Sequence, residues 1–235
     1  MTLRIVNWNL KWADPHGWKG QELTRRIGCE NPEVVCLTEA PLGFLAGGHV
    51  IAADADYGYR NTGDRRKVQL WSRSPWVNVD AQGDPCMPTG RFIRGTTETS
   101  LGKVTFVGVC VPWNLAHVTT GRGDRRSWED HIAYLGGLPS PLKSSGNRRM
   151  VLLGDFNQRI PRSDKVPLEV AELLSAATQH LKIARTDRFK WQDEAIDHVF
   201  HSDDLRCGEV RLLDNSHPRD DLSDHVGWSV LLAER

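Results

Sequence analysis

The stretch MVLLGDFN, residues 150–157, decides the fold because a short apolar run leads directly into a glycine, an acid and an amide. Residues 150–153 predict a buried strand. Gly154 permits a tight exit from that strand, and the loop then projects Asp155 and Asn157. A carboxylate can orient or deprotonate a water, and an amide can donate to an oxygen that gains negative charge. The simpler alternative is an Asx-type turn, in which Asp155 only binds local backbone.

Four further polar motifs are spread over the chain, and most of them follow or begin a predicted strand. They are Trp8-Asn9, Leu37-Thr38-Glu39, Ile196-Asp197-His198 and Ser223-Asp224-His225. Because α/β proteins build active sites at strand ends, we expect these side chains to meet. The His225 imidazole can accept a proton or, when protonated, stabilise a phosphate, and Asp197 can fix its tautomer. Alternation places His198 on the opposite face from Asp197, where we expect a solvated ring.

Glu39 and Asn9 each end a predicted strand, so both side chains can reach the same sheet edge. A lone glutamate after an apolar run is usually only a solvated strand end. Its company of acids and amides changes that interpretation, because oxygen ligands of this kind suit Mg²⁺ or Mn²⁺. Such ions share their remaining positions with substrate phosphate.

The composition suits one domain over residues 1–235, with 39% hydrophobic and 26% charged residues. Lys plus Arg and Asp plus Glu both number 30, so a nucleic-acid role requires a local basic surface. No apolar run approaches the roughly 20 residues of a membrane helix, and the first residues lack a signal peptide's pattern. We expect a cytoplasmic monomer without a membrane span. The five widely spaced cysteines indicate reduced thiols, several of them buried.

Strands outnumber helices in the predicted order of elements. The strands are residues 3–8, 34–37, 67–71, 103–111, 150–153, 196–200, 209–213 and 226–232; the helices are 21–27, 124–135 and 167–177. The Gly- and Pro-rich stretches 43–48 and 139–146 are predicted loops within the domain. This pattern indicates sheets packed together with helices outside.

The five motifs, in this order, resemble those of the endonuclease/exonuclease/phosphatase superfamily, the pancreatic-DNase-like metal-dependent phosphoesterases. The resemblance runs from Ile5-Val6-Asn7-Trp8-Asn9 to Ser223-Asp224-His225 and so covers nearly the whole chain. It implies an α/β (α+β) fold, a four-layer sandwich of two packed mixed sheets flanked by helices, with the site at one end.

Carried over position by position, the resemblance implies a role for each site residue. The metal-binding Glu falls on Glu39, with Asn9 beside it and Asp224 near a metal position, and Mg²⁺ or Mn²⁺ is the implied cofactor. The catalytic positions fall on Asp155, which orients the nucleophile, on Asn157, which stabilises the transition state, and on His225 with its supporting Asp197.

Two departures from the family pattern concern the substrate. Many nuclease members carry Tyr or His where this chain has Cys110, so the phosphate contact must come from elsewhere, with Asn114 or His117 as candidates. Abasic-site endonucleases carry an Asp where this chain has Lys11. A close functional match to those repair enzymes is therefore not expected.

Basic residues cluster in residues 60–67, 122–126 and 159–165, and Arg159 immediately follows the Asp155 loop. They could grip several phosphates of nucleic acid, or they could be an ordinary solvated surface. Trp12, Trp113 and Trp191 could stack on bases or pack in the core.

We therefore predict a metal-dependent phosphoester hydrolase, foremost a nuclease that cleaves phosphodiesters by in-line water attack. One alternative is a phosphatase or phosphodiesterase acting on an inositol phosphate, a lipid headgroup or a nucleotide. A lower alternative is a non-catalytic binding module. The crowded acids argue against the module, because like charges around one pocket destabilise it unless a cation is present.

Overall fold

The computed structural model of the protein describes residues 1–61, 63–146, 148–185 and 194–235. Trp191, one of the predicted base-stacking residues, lies outside these ranges. The strands there are β1 Thr2–Asn9, β2 Val34–Pro41, β3 His49–Ala52, β4 Arg65–Ser72, β5 Trp76–Asp80, β6 Phe92–Thr99, β7 Gly102–Cys110, β8 Met150–Asp155, β9 Lys182–Ile183, β10 Asp197–His201, β11 Leu205–Leu213 and β12 Gly227–Glu234. The helices are α1 Trp18–Cys29, α2 Glu129–Gly137, α3 Pro139–Ser144 and α4 Leu168–Thr178.

The strands form two mixed sheets of six strands each. The first sheet has the order β11-β12-β1-β2-β4-β3, and the second has the order β5-β6-β7-β8-β10-β9. Each sheet contains one parallel pair, β1 with β2 and β7 with β8, while the other pairs are antiparallel. Both parallel pairs end at the same end of the sandwich, and β10 and β12 begin there.

Alternating side chains divide the apolar residues between three layers of packing. Ile5 of β1 and Leu153 of β8 are fully buried in the core between the two sheets. On the outer face of the first sheet, Leu23 of α1 packs with Val6 of β1. Helices α2, α3 and α4 cover the outer face of the second sheet, where Tyr134 lies in the core. Burying each such side chain stabilises the fold by about 1.5–3 kcal/mol. The predicted four-layer sandwich is confirmed.

Three local predictions differ from the structure. The helix expected from residue 124 begins only at Glu129, because Trp128 has φ 70°, a left-handed conformation that a right-handed helix cannot include. The predicted loop 139–146 contains α3, whose first residue is a proline, where the missing N–H is harmless. His198 does lie opposite Asp197, but the ring is buried rather than solvated, and its Nε2–H donates to the Gln158 carbonyl at 2.8 Å.

Other elements were not predicted because their sequences carry little periodicity. These elements are β3, β5, β6 and β9. Strands β3, β5 and β9 are short, β5 is largely exposed, and β6 has only two apolar side chains, Phe92 and Ile93, both at its start. None of the described helices has both the length and the apolar character needed to cross a membrane.

Candidate active site

The glycine that ends β8 brings an acid to the end of the second sheet. Gly154 has φ 143°, and an added Cβ would lie 1.9 Å from the Val109 carbonyl oxygen, so no other residue fits between β8 and β7. Asp155 follows it, pairs in register with Asp197 of β10 and is 2% exposed. Gly154 and Asp155 therefore place the buried Asp155 carboxylate beside that of Asp197, where β8 ends and β10 begins.

Both oxygens of Asp155 accept hydrogen bonds. Oδ1 accepts the Asn157 backbone N–H at 2.8 Å, which is the Asx-type turn considered from sequence. Oδ2 accepts the side-chain amides of Asn9 and Asn157, each at 3.1 Å. The turn and the contact with Asn9 are therefore both present, and the second one links β8 to the first sheet.

His225 and Asp197 form a tight pair beside Asp155. His225 Nδ1–H donates to Asp197 Oδ2 at 2.5 Å, while the Trp8 indole N–H donates to the His225 backbone carbonyl at 2.9 Å. The other carboxylate oxygen of Asp197, Oδ1, is buried without a hydrogen-bond partner among the described residues. These contacts hold His225 at its ring Nδ1 and at its backbone carbonyl, and neither of them uses Nε2.

The pKa values in this cluster are shifted by burial and by mutual charge. Burial and the charge of Asp197 raise the pKa of Asp155 to about 7, against the opposing effect of His225. Burial of His225 disfavours the imidazolium, but Asp197, Asp155 and Asp224 outweigh that cost and raise the pKa of His225 to about 10. At neutral pH His225 is therefore a cation, and Asp155 is poised to exchange a proton.

Glu39 is turned toward the same end by an irregularity in β2. It has φ 48° and lies opposite Lys67, between the pairs of Thr38 with Val68 and Ala40 with Arg66. Lys67 Nζ donates to Glu39 Oε1 at 2.6 Å. Because non-glycine residues rarely adopt positive φ, this strained position is typical of a functional site.

Asp224 lies at the rim of the cluster, with its side chain 55% exposed. Lys11, which stands where abasic-site endonucleases carry an acid, places Nζ 3.1 Å from Asp224 Oδ2. The neighbouring Ser223 hydroxyl donates to the Asn9 carbonyl at 2.7 Å and so ties this loop to β1. All seven predicted metal-binding and catalytic residues come to one end of the sandwich.

The donor set fits a hard divalent cation. Asp155 and Asp197 have carboxylate oxygens within 4.8 Å of each other and of a His225 ring nitrogen, and the adjacent Glu39 and Asp224 add two more carboxylates. The unpartnered Asp197 Oδ1 and the raised pKa of Asp155 are what crowded carboxylates show without a compensating cation. Oxygen donors of this kind suit Mg²⁺ or Mn²⁺.

A cleft of about 450 Å³ opens over these residues and is called the candidate cleft below. Its lining combines the site residues Asn9, Glu39, Asp155, Asn157, Asp224 and His225 with Trp12, Tyr57, Tyr59, Arg60, Arg65, Lys67, Arg91, Cys110, Trp113 and Thr120. Trp12 stacks on Tyr57 at a centroid distance of 6.0 Å, and Lys67 lies 5.1 Å from the Trp12 ring centroid. The cleft therefore combines acidic side chains with aromatic and cationic ones.

The sequence pattern of the endonuclease/exonuclease/phosphatase family matches residues 6–225. The chain belongs to this family of phosphoesterases. The match confirms the resemblance found in the motifs and includes every predicted site residue, from Asn9 to His225. A comparison with curated protein sequences gives no significant match.

Solved structures of family members share the fold at low sequence identity. The human Nocturnin catalytic domain, solved with a bound sulfate anion, is 17% identical, with a TM-score of 0.71 over 100% of this chain and 94% of that one. An endonuclease/exonuclease/phosphatase protein from Beutenbergia cavernae is 17% identical, with a TM-score of 0.69 over 99% and 72%. An AP endonuclease from Archaeoglobus fulgidus is 14% identical, with a TM-score of 0.69 over 97% and 98%.

The three predicted substrate-binding residues of this family member are not placed together. Among the described residues, the lining of the candidate cleft includes neither Asn114 nor His117. His117 is 1% exposed, stacks on Tyr59 at 4.2 Å and has Nε2 3.9 Å from Asp130 Oδ2. Arg159 is exposed and lines an adjoining cleft of about 660 Å³ that also reaches Asp197 and His225.

Sequence reasoning missed Tyr57, Tyr59 and Arg91 as cleft residues. The tyrosines lie in irregular segments without a pattern, and Arg91 is a single arginine between Gly90 and an apolar strand. The one available signal was the basic run 60–67, because Arg60, Arg65 and Lys67 all line the candidate cleft. The second basic run behaves differently, since Arg125 is paired with the buried Asp130 at 2.8 Å.

Proposed function

We propose that this family member is a divalent-metal-dependent nuclease that hydrolyses phosphodiesters by in-line attack of water. The observation that carries the proposal is the cluster of Asp155, Asp197 and His225, of which Asp155 and His225 line a cleft that also contains aromatic and cationic side chains. The cluster supplies the groups for hydrolysis, and the aromatic and cationic residues supply the groups that bind bases and phosphates.

Asp155 is the group proposed to orient and deprotonate the attacking water. A general base works best when its pKa is near the operating pH, and burial beside Asp197 raises the pKa of Asp155 to about 7. The amides of Asn9 and Asn157, both at 3.1 Å, hold its Oδ2 in one orientation. Asn157 is also proposed to donate to a non-bridging oxygen of the phosphate.

His225 is proposed to act as a fixed hydrogen-bond donor to the phosphate. Its pKa of about 10 keeps the ring protonated, and Asp197 at 2.5 Å holds Nδ1, so Nε2–H faces the cleft. Of the two roles that the sequence left open for this imidazole, these contacts favour phosphate stabilisation over proton acceptance. A charged donor in a water-poor site stabilises developing negative charge strongly.

Glu39, with Asn9 and Asp224, is proposed to hold the divalent cation. When bound, such an ion polarises a phosphate oxygen and offsets charge in the transition state. Glu39 and Asp224 contact Lys67 and Lys11, respectively, so each carboxylate already faces a cationic group. The most closely spaced group of potential ligand atoms is instead that of Asp155, Asp197 and His225. Metal titrations of variants at Glu39 and Asp155 distinguish the two sets.

Nucleic acid is the proposed substrate because the candidate cleft offers rings and cations together. Trp12, Tyr57 and Trp113 line it, and Trp113 is 40% exposed, which leaves a face free to stack on a base. Arg60 and Arg65 add positive charge for the phosphate backbone. A cytoplasmic, monomeric enzyme remains part of this proposal.

The test is hydrolysis of plasmid DNA, RNA, a small diester and a panel of phosphate monoesters with Mg²⁺ or Mn²⁺. Polynucleotide cleavage that is lost in Asp155→Ala and in His225→Ala, with both variants folded, is the expected result. Turnover of monoesters or small diesters alone would favour the phosphatase or phosphodiesterase alternative. Absence of all turnover would favour the binding module, and full activity in excess EDTA would remove the metal from the proposal.

A further inference from the structure

Arg91 is a buried guanidinium that has no anionic partner among the residues that the structure describes. The residue precedes β6, is 2% exposed and lines the candidate cleft. Its Nη1 makes one long contact with the Cys110 carbonyl at 3.4 Å, and its Nη2 is buried without any hydrogen-bond acceptor in the described part of the chain. No described carboxylate lies within 4.0 Å of the side chain. A guanidinium has five N–H donors, so most of its capacity is unused here.

Such an arrangement is costly and needs a compensating partner. A charge taken out of water is destabilising unless it is paired and hydrogen-bonded. Arg94, three residues further along the chain and within β6, shows the ordinary solution, because it contacts Asp80 at 3.1 Å and the Ser144 hydroxyl at 2.7 Å. Since Arg91 borders the candidate cleft, the partner that it lacks can arrive there.

The backbone at Arg91 is held firmly. The Arg91 carbonyl accepts the Tyr134 hydroxyl at 2.8 Å and the Cys110 backbone N–H at 3.0 Å. These bonds anchor the residue to α2 and to the end of β7. A site on a rigid support positions a ligand more accurately than one on a loop.

Cys110 itself cannot replace the donor that many nuclease members carry at its position. The Cys110 side chain is 1% exposed and pairs in register with Asp155. A thiol is only a weak hydrogen-bond donor. Cys110 itself therefore offers no strong phosphate contact, but a cation without an anionic partner in the described part of the chain lies beside it.

We infer that Arg91 binds a non-bridging oxygen of the substrate phosphate and replaces the contact missing at Cys110. The inference rests on the proposed function, because it assigns a phosphate-binding residue to the same cleft. The planar fork of a guanidinium matches phosphate oxygens in a way that an ammonium does not. The ligand class is a phosphate mono- or diester, and inorganic phosphate is its simplest probe.

The test compares Arg91→Gln, Arg91→Lys and the matched control Arg94→Gln. Inorganic phosphate is titrated into each folded protein in EDTA, and binding is followed by calorimetry and by melting temperature. The same proteins are then assayed with metal on the best substrate of the wild-type chain. We expect phosphate to bind to the wild type and to Arg94→Gln but not to Arg91→Gln, with weak binding by Arg91→Lys.

In the kinetic arm, Arg91→Gln should lose about 10- to 100-fold in kcat/KM, mostly through a higher KM, as expected for one charged hydrogen bond. Its melting temperature in phosphate-free buffer should equal or exceed that of the wild type, because an uncompensated buried charge has been removed. A purely structural arginine would give the reverse, a lower melting temperature with unchanged phosphate affinity.

Three results would overturn the inference: no phosphate binding by the wild type, wild-type phosphate affinity in Arg91→Gln, or loss of folding in both Arg91 variants. Failure of the proposed function looks different. If the wild type hydrolyses no ester but binds phosphate through Arg91, the nuclease proposal fails while the phosphate site remains.

Discussion

The sandwich has a cleft at each end, and the two clefts differ in how their charged side chains are paired. The rear cleft, of about 640 Å³, lies at the other ends of the strands and is lined by residues that include Arg4, Glu30 and Glu33. There Glu30 accepts the Ser229 hydroxyl at 2.7 Å and lies 3.9 Å from Arg4, while Glu33 accepts both the backbone N–H and the hydroxyl of Ser100. These carboxylates are individually satisfied.

At the other end, the carboxylate of Asp155 in the candidate cleft lies next to that of Asp197, which lines the adjoining cleft. Asp155 and Asp197 are adjacent in register, both are nearly inaccessible, and one oxygen of Asp197 has no described partner. Balanced charges at a surface contribute little to stability, whereas clustered buried acids cost stability unless a cation compensates them. The rear cleft, whose charges are paired, therefore gives no indication of function, whereas the clustered acids at the other end do.

The largest expected difference between the two ends is in activity. Asp197→Asn removes the carboxylate that holds His225 Nδ1 at 2.5 Å, so the ring loses its fixed orientation and its raised pKa. We expect kcat to fall by about 10²- to 10⁴-fold. The control at the rear cleft is Glu33→Gln, which should keep wild-type kcat. An Asp197→Asn variant with activity within about threefold of the wild type would show that the pair does not work as a unit.

The second prediction concerns cation binding, followed by melting temperature during titration with Mg²⁺ or Mn²⁺. At an ion concentration about 100 times the Kd, the native chain should gain about 2.7 kcal/mol of stability, and EDTA should reverse the gain. Glu39→Gln should weaken binding. Lys67→Gln should strengthen it, because it removes the ammonium that lies 2.6 Å from Glu39.

The matched variants separate the two possible ligand sets. If Asp155→Asn abolishes the gain while Glu39→Gln keeps it, the ion is held by the Asp155, Asp197 and His225 group. An unchanged gain in both variants would place the ion elsewhere, and the rear cleft would then need the same titration with Glu33→Gln.

The third prediction uses pH in the metal-free protein. Asp155 has a folded pKa of about 7 against an ordinary value of 3.8, so its neutral form is favoured in the fold. Its contribution to stability is therefore fully present below pH 3.8 and is lost as the pH rises through 7. Glu209, near the rear cleft, has its pKa lowered by hydrogen bonds from Arg211 and Arg4 and should stay ionised over that range. Carboxyl NMR titration can follow both groups, and an Asp155 resonance that titrates near pH 4 would contradict the contrast.

The ends of the strands explain how much of the site could be predicted from sequence. Asp155, Asp197 and His225 were predicted because each sits next to an apolar run, and the parallel pairs bring such strand ends together. The positive φ of Glu39 was not predictable, since nothing in Leu37-Thr38-Glu39 signals a left-handed backbone conformation within a strand. His198 was expected to be solvated because strand alternation alone cannot show that helices cover the outer face of the sheet.

Residues delivered by irregular segments escaped prediction for a related reason. The burial of Arg91 depends on Tyr134 and Cys110, which lie 43 and 19 residues further along the chain. His117 and Asn114 were chosen for their closeness in sequence to Cys110, but the turn after β7 carries His117 behind Tyr59. Local sequence patterns predict where strands end, whereas contacts between loops that are distant in sequence can be seen only in the folded structure.

The smallest expected effect is the stability of Glu33→Gln itself. The glutamine oxygen can still accept the Ser100 N–H, but its NH₂ group cannot accept the Ser100 hydroxyl, so the free energy of unfolding should fall by about 0.5–1.5 kcal/mol. Denaturant melts measure this directly, and Glu33→Ala should cost more because it leaves the Ser100 N–H without its acceptor. Since Glu33 lies just before β2 and Glu39 near its end, a loss of kcat in Glu33→Gln would mean that β2 transmits strain between the clefts. The two clefts would then be coupled through β2 and could not be treated as independent sites.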